Sequence, residues 1–228
     1  MRLKIKDYLV RRQTGFWEFL RTIPFSSSPT PPKLKPVITV SREPGSGGRP
    51  IAKQVAKELG FDFYDKKLLR LIARDARRKK ELVKELDEDF KTVIEEFFAS
   101  LSKESYISRS TYYKSLCRVV FRIARRGKAV ILGRGANFIL PPSDVLRVRI
   151  IAPLKVRIQN AIRYEGHHPE KAREVIRKYH FARKEFVKRT FGKNISNANY
   201  YDLVINTEHL TIPQAVQIIK AAFKQKFG

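Results

Sequence analysis

The chain has little with which to build a disulfide or a metal site from cysteine and histidine. Its 228 residues include one cysteine, Cys117, and four histidines. A single cysteine excludes an intrachain disulfide and a cysteine-based zinc site, and this sparing use fits a reducing cytoplasm, where we expect the protein to be. Cys117 lies among Leu116, Val119 and Val120 at helical spacing, which predicts that it packs in a core.

Long hydrophobic runs and acidic residues are also scarce. Lys or Arg interrupts every apolar stretch before it reaches the ~18 residues that can span a membrane, so we expect no transmembrane segment. Asp and Glu number 22 against 48 Lys and Arg, which gives a net charge of +26. This charge attracts polyanions such as nucleic acid or an anionic membrane. A basic surface without a dedicated polyanion partner explains it equally well.

The first 36 residues differ from the rest in composition. Residues 1–25 have the pattern of a basic amphipathic helix, and the three prolines of residues 26–32 predict a linker. The helix could lie on a membrane surface, pack on the following domain or pack on a second subunit, so a homodimer stays open.

From residue 37 onward, short apolar strands alternate with helical patterns. This alternation predicts an α/β domain with a parallel sheet covered on both faces. The expected strands are 37–40, 61–64, 129–132, 145–152 and 203–205. One helix is expected after the first strand, from about 51 to a stop at Gly60, and others at 66–79, 81–101, 111–126, 155–164, 169–190 and 212–226.

A glycine-rich loop, Gly45-Ser46-Gly47-Gly48, joins the first strand to the first helix. Glycines let backbone N–H groups converge, and the helix N-terminus adds a positive dipole, so this arrangement favours phosphate binding over an ordinary turn. A standard P-loop ends in Gly-Lys-Ser/Thr, whereas this one continues with Arg49 and Pro50. Arg49 can supply the positive charge. Pro50 has no hydroxyl, so a magnesium ligand must come from Ser46 or from water alone.

Four stretches resemble the cytidylate kinase-like family, whose members are relatives of the P-loop nucleoside monophosphate kinases. They are residues 37–52, 59–66, 130–140 and 201–207. The resemblance covers about residues 37–222. It implies a three-layer P-loop kinase fold with a five-stranded parallel sheet in 37–228, a helical acceptor-binding insertion near 66–128 and a lid near 155–193.

The same resemblance implies ATP-dependent phosphoryl transfer to a nucleoside monophosphate, with a cytidylate-like acceptor and Mg²⁺ as cofactor. The alternative is a P-loop protein without catalytic activity that binds nucleotide or nucleic acid through its basic surface. The residues expected to bind ATP are Pro44, Gly45, Ser46, Gly47, Gly48, Arg49, Pro50 and Ile51.

Five residues are candidates for the chemistry, because phosphoryl transfer needs cations and a carboxylate around the transferring group. Arg49 belongs to the loop. Arg134 lies between two glycines after a strand, where relatives hold the acceptor phosphate, although it could instead bond a helix C-terminus. Asp65 follows the second strand and is expected near magnesium and the acceptor, or as the cap of the next helix. The lid contributes Arg177 and Arg183.

Three positions depart from the family pattern. The family more often has an acidic residue at the position of Pro50, an aspartate at that of Gly135 and an aspartate at that of His180. The departures concern metal handling, an acceptor contact and the internal pairing of the lid, respectively.

Overall fold

The computed structural model describes residues 34–77, 109–165 and 167–228, which belong to one compact unit that begins at Leu34. The helix predicted at 81–101, the helix predicted at 1–25 and the linker at 26–32 lie outside the described residues. The two ends of the expected insertion are described, as is nearly all of the expected lid.

Five parallel strands form one sheet, as predicted, in the order β2-β3-β1-β4-β5. They are β1 (Val37–Arg42), β2 (Asp62–Tyr64), β3 (Ala129–Leu132), β4 (Val145–Ile151) and β5 (Leu203–Asn206). β1 is central and pairs with β3 and β4. The first strand along the chain therefore ends in the middle of the sheet, where the carboxyl ends of its two neighbours also lie.

The helices follow the hydrophobic periodicity, with ends that differ from the predicted ones by at most a few residues. They are α1 (Gly48–Leu59), α2 (Lys66–Arg77), α3 (Arg109–Arg126), α4 (Leu154–Glu165), α5 (Pro169–Phe191) and α6 (Ile212–Phe227). Gly60 ends α1 in the left-handed region, at φ 66°. Thr211 caps α6, because its hydroxyl accepts from the Gln214 N–H while the Gln214 side chain accepts from the Thr211 N–H.

Both faces of the centre of the sheet are buried. Ile38 and Val40 of β1 join a core that also includes buried residues of α1 and α6, such as Ile51 and Val216. The alternate residues of β1 and β3, among them Val37, face the other way and are equally inaccessible, whereas Val204 of the edge strand β5 is exposed. None of the helices in the described ranges is long and apolar enough to cross a membrane.

Cys117 lies in the core of the described unit, as its spacing predicts. It is fully buried on α3, and burial raises the pKa of its thiol to about 12. A thiol that stays protonated at neutral pH is a poor nucleophile, so Cys117 contributes packing and not chemistry.

Candidate active site

The loop from Glu43 to Gly47 brings backbone N–H groups to the carboxyl end of β1. Gly45 and Gly47 have φ values of 74° and 73°, in the left-handed region that glycine adopts without strain. A Cβ on Gly45 would also overlap the backbone carbonyl of Arg157. The first intrahelical bond of α1 runs from the Ile51 N–H to the Gly47 carbonyl, at 3.1 Å. Pro50 lies in the first turn, where an N–H has no intrahelical partner, so the proline removes no helical bond.

Two side chains from other elements hold carbonyl groups of this loop. Asn160 Nδ2 on α4 donates to the Gly45 carbonyl at 2.8 Å, and Thr207 Oγ1 after β5 donates to the Ser46 carbonyl at 2.9 Å. In a trans peptide the N–H points opposite to the C=O, so the Gly47 N–H points away from Thr207. Together with the N–H groups of the first turn of α1, it forms an anion-binding concavity.

Ser46 faces into the protein. Its side chain is buried, and its hydroxyl lies 2.9 Å from the Glu43 carbonyl and 3.3 Å from the Ile150 carbonyl, so it can donate to either. This geometry fastens the loop to β4. It directs the hydroxyl predicted as a magnesium ligand toward backbone acceptors.

Glu43, the first residue of the loop, lies at the centre of a charged cluster. Its carboxylate lies 3.5 Å from Arg157 Nε, 3.8 Å from His180 Nδ1 and 3.9 Å from Arg149 Nη2. It also accepts from the Ala152 N–H at 3.3 Å. One carboxylate thus connects the loop to β4 and to α4 and α5. The last two are the helices of the expected lid.

Beside the loop, charged side chains from the ends of β1, β2 and β3 and from α1 and α5 converge. Arg49 Nε donates to the Asp65 carboxylate at 2.6 Å, which joins the start of α1 to the end of β2. Arg183 Nη1 on α5 donates to the Arg42 carbonyl at 3.0 Å. Arg42 lies close enough to Arg134 and Arg183 for their charges to act on its guanidinium. Burial in the first place, and then these neighbouring cations, lower the pKa of Arg42 to about 9.

The turn after β3 presents Arg134 to this cluster. Gly133, Arg134 and Gly135 all have positive φ, at 77°, 57° and 64°. The edge of the Phe191 ring occupies the place of a Cβ on Gly135, and the Arg134 guanidinium lies 5.9 Å from the Phe186 ring centroid. Both rings belong to the carboxyl-terminal half of α5, so the expected lid helix helps to hold the arginine of the turn.

The structure brings together four of the five predicted catalytic residues: Arg49, Asp65, Arg134 and Arg183. Arg177 lies on an exposed part of α5. Six residues separate it from Arg183, which corresponds to about 240° around a helix, so the two arginines point in different directions.

Arg42 belongs to the cluster but was not predicted. Its signal in the sequence is a cation at the end of a buried apolar strand, immediately before the glycine-rich loop. Charged residues at the carboxyl end of a central parallel strand face the ligand crevice of α/β proteins.

The residues of the site fit a limited role in holding Mg²⁺. Within the described ranges, no group of three or more His, Cys, Asp or Glu side chains could hold a metal ion. In kinase sites Mg²⁺ usually takes one or two carboxylates, several waters and the substrate phosphates. Asp65, which is mostly buried beside the loop, fits that limited role.

A parallel sheet of this order, a glycine-rich phosphate loop after its central strand, and arginines with an aspartate around that loop define a nucleotide kinase of the P-loop class. The model of the cytidylate kinase-like family matches residues 37–209, which is more than half of the chain. The protein belongs to this family.

Curated relatives agree with this assignment, and a solved structure shares the fold. The chain is 29% identical over 193 residues to the cytidylate kinase of Pyrococcus horikoshii, covering 84% of this chain and 90% of that one. It is 26% identical over 186 residues to the cytidylate kinase of Ignicoccus hospitalis, covering 81% and 96%. A crystal structure of an uncharacterized protein from Eubacterium ventriosum shares the fold, with a TM-score of 0.62, 19% identity and coverage of 83% and 99%.

Proposed function

We propose that the protein transfers the γ-phosphoryl group of ATP to a nucleoside monophosphate, with a cytidylate-type nucleotide as acceptor. The observation that carries this proposal is the convergence of Arg49, Arg134, Arg183 and Asp65 around Arg42, between the phosphate loop and the turn after β3. The curated relatives, which this chain covers almost completely, support a cytidylate acceptor by their names.

In this proposal the loop binds the donor. The N–H groups of the loop and of the first turn of α1 cradle the β- and γ-phosphates, and Arg49 neutralises part of their charge. Arg134, raised on its turn between Gly133 and Gly135, binds the acceptor phosphate from the other side. The two substrates then meet over the carboxyl end of β1 in an orientation suited to in-line transfer.

The reaction needs little proton transfer from the protein. A phosphate monoester has its second pKa near 6, so the acceptor is already mostly a dianion at neutral pH. Its oxygen forms a bond to the γ-phosphorus while the bond from that phosphorus to the β-γ bridging oxygen breaks and leaves ADP. The arginines keep their protons throughout and stabilise charge on the transferring group.

Mg²⁺, when bound with ATP, neutralises phosphate charge. Asp65 is the residue we assign to hold it, directly or through water, because a carboxylate is the ligand type that this hard cation prefers. Ser46 is assigned to the loop instead, because its hydroxyl is engaged with backbone carbonyls. We propose that Arg183 and α5 exclude water from the transferring group.

The experiment is to measure ADP release from Mg²⁺-ATP with a panel of ribo- and deoxyribonucleoside monophosphates. We expect one or two pyrimidine monophosphates to turn over with the highest kcat/KM, and Arg134→Ala to raise the KM of that acceptor more than that of ATP. Equal effects of Arg134→Ala on both KM values would contradict the assigned acceptor contact. Turnover of no monophosphate on the panel would contradict the proposed activity.

The alternative, binding of a polyanion without catalysis, predicts a different salt dependence. Binding through many Lys and Arg side chains releases counterions and weakens steeply with salt, with a slope that grows with the number of phosphates contacted. Mononucleotide binding in the site described above involves a few phosphates. Its affinity is expected to fall much less between low and physiological salt.

A further inference from the structure

Arg42 is held in a channel that two glycines provide. A Cβ on Gly48, the first residue of α1, would overlap the Cβ of Arg42. A Cβ on Gly133, the first residue of the turn after β3, would overlap Nη1 of Arg42. The side chain therefore starts against the phosphate loop and ends at the turn that carries Arg134.

This position lies between the proposed donor and acceptor sites. Gly48 belongs to the loop that binds the donor phosphates, and Gly133 precedes the arginine assigned to the acceptor phosphate. In the proposed reaction a phosphoryl group passes from the donor site to the acceptor site. The Arg42 side chain reaches from Gly48 to Gly133, between these two sites. The backbone carbonyl of Arg42 is fixed by Arg183, so the end of β1 is held as well.

Among the described residues, no carboxylate lies within 4.0 Å of the Arg42 guanidinium, and the nearby Asp65 is engaged by Arg49 at 2.6 Å. A partly buried cation beside other cations is costly. Burial followed by Arg183 and Arg134 lowers the pKa of Arg42, and Asp65 opposes this only in part. A bound anion would remove this cost.

We propose that Arg42 is a catalytic residue that binds the transferring phosphoryl group, supplying from β1 the charge that a lysine supplies in a standard P-loop. The assignment rests on the proposed kinase function. Arg49, which stands at the position of that lysine, is more than half exposed and paired with Asp65. It therefore shares this role with a second, more buried arginine.

In this step Arg42 only donates hydrogen bonds and transfers no proton. As the acceptor oxygen bonds to the γ-phosphorus and ADP leaves with the electron pair of the broken bond, negative charge stays on the three equatorial oxygens. A planar guanidinium can donate two parallel hydrogen bonds to two of them. Because these contacts strengthen in the transition state, their loss should lower kcat more than it raises KM.

The test uses Arg42→Met and Arg42→Lys in the full chain. Methionine keeps the aliphatic contact with Gly48 but has no charge, and lysine restores a charge without the planar fork. The matched control is Arg122→Met, which removes an arginine near the end of α3 that leads into the amino end of β3, whereas the loop lies at the carboxyl end of β1. Arg122 is half exposed, and the Arg118–Asp75 pair beside it remains.

We expect Arg42→Met to lower kcat by about 10³-fold, as for other arginines that stabilise phosphoryl transfer. The KM of ATP should change by less than about tenfold, Arg42→Lys should recover part of the kcat, and Arg122→Met should match the wild type. Thermal melting must show that all three variants fold. A folded Arg42→Met variant with kcat within about twofold of the wild type would overturn the proposal.

A binding measurement tests the role of Arg42 separately from the proposed kinase function. If the wild type phosphorylates no acceptor, binding of inorganic tripolyphosphate by calorimetry tests Arg42 alone. A loss of affinity of about threefold to tenfold in Arg42→Met, but not in Arg122→Met, would support Arg42 as a phosphate ligand. Unchanged affinity would overturn it.

Discussion

Gly45 and Gly60 are both glycines in the left-handed region, but only one of them lacks room for a side chain. A Cβ on Gly45 would overlap the Arg157 carbonyl, whereas a Cβ on Gly60 would meet nothing within 4 Å. Both substitutions to alanine should cost about 1–2 kcal/mol of stability for the left-handed conformation. Only Gly45→Ala should also displace the phosphate loop.

We therefore expect Gly45→Ala to lower kcat/KM for ATP by about 10²-fold, the effect of moving a positioning element by about 1 Å. Gly60→Ala should keep wild-type kinetics while losing a similar amount of stability. Urea unfolding and steady-state kinetics on the same samples check both. Equal kinetics in the two variants would mean that the loop tolerates the shift.

Part of the candidate site could be predicted from the sequence, residue by residue. Arg49, Asp65 and Arg134 could be predicted because each lies beside a recognisable glycine turn or strand end. The role of Arg42 depends on Gly133, which is 91 positions away in the sequence and adjacent only after β1 and β3 pair. The inward orientation of Ser46 likewise depends on Ile150 of β4, a contact that spacing along the chain does not reveal.

At the scale of elements, Asp202 connects β4, β5 and α6. Its carboxylate bonds Arg147 Nη2 at 2.6 Å, the Arg147 N–H at 2.8 Å and Lys226 Nζ at 3.0 Å. Burial alone would raise the pKa of Asp202, but the bonds from Arg147 and Lys226 outweigh it and lower the pKa to about 2. The folded state therefore favours the ionised carboxylate.

Replacing Asp202 by asparagine should destabilise the protein by about 1 kcal/mol at neutral pH, because one pKa unit corresponds to about 1.4 kcal/mol and solvent screening at this exposed residue reduces the full effect of the shift. The folded pKa is below 3.8, the ordinary pKa of an aspartate. The contribution is therefore complete above that value and disappears as the pH falls through about 2. Urea unfolding of wild type and Asp202→Asn across this range measures the difference, and a difference that persists at the acid end would contradict the account.

His180 gives the contact between α5 and the loop a pH dependence. Burial lowers its pKa below 6.5, Glu43 opposes this, and Arg157, Arg149 and Lys184 add to it. Because the folded pKa is depressed, the stability is complete above pH 6.5 and falls as the pH drops toward the lowered pKa.

We expect the wild type to lose stability relative to His180→Gln below pH 6.5, because glutamine stays neutral. The difference between their unfolding free energies cancels the other titrating groups, which both proteins share. A difference that does not vary with pH would show that protonation of His180 is not opposed in the folded state.

The elements were the most predictable part of the fold. Short apolar runs alternating with helical patterns predicted all five strands, and the Thr211 cap was recognisable from its sequence. Pairing order and the packing of α5 against the Arg134 turn were not readable in this way. The packing depends on Phe186 and Phe191 reaching Arg134 and Gly135 across the site, which periodicity along one helix does not specify.

At the scale of the whole molecule, the net charge of +26 has a local counterpart in the site. Arginines from α1, the turn after β3 and α5 lie near Arg42 of β1, with one aspartate among them, so positive charges repel one another in this cluster. In the proposed function, the basic surface raises the local concentration of anionic substrates, and the cluster gives them a defined position. A substrate with several phosphates is the ligand that this charge distribution favours.

The most direct test follows the γ-phosphate itself. The wild-type protein is incubated with Mg²⁺ and ATP labelled in its γ-phosphate, together with cytidylate, and the nucleotides are separated. The account predicts that the label appears in the diphosphate of the acceptor and that Arg49→Ala and Arg134→Ala largely abolish the transfer. Label that stays in ATP or appears only as inorganic phosphate, with every monophosphate tried, would contradict it.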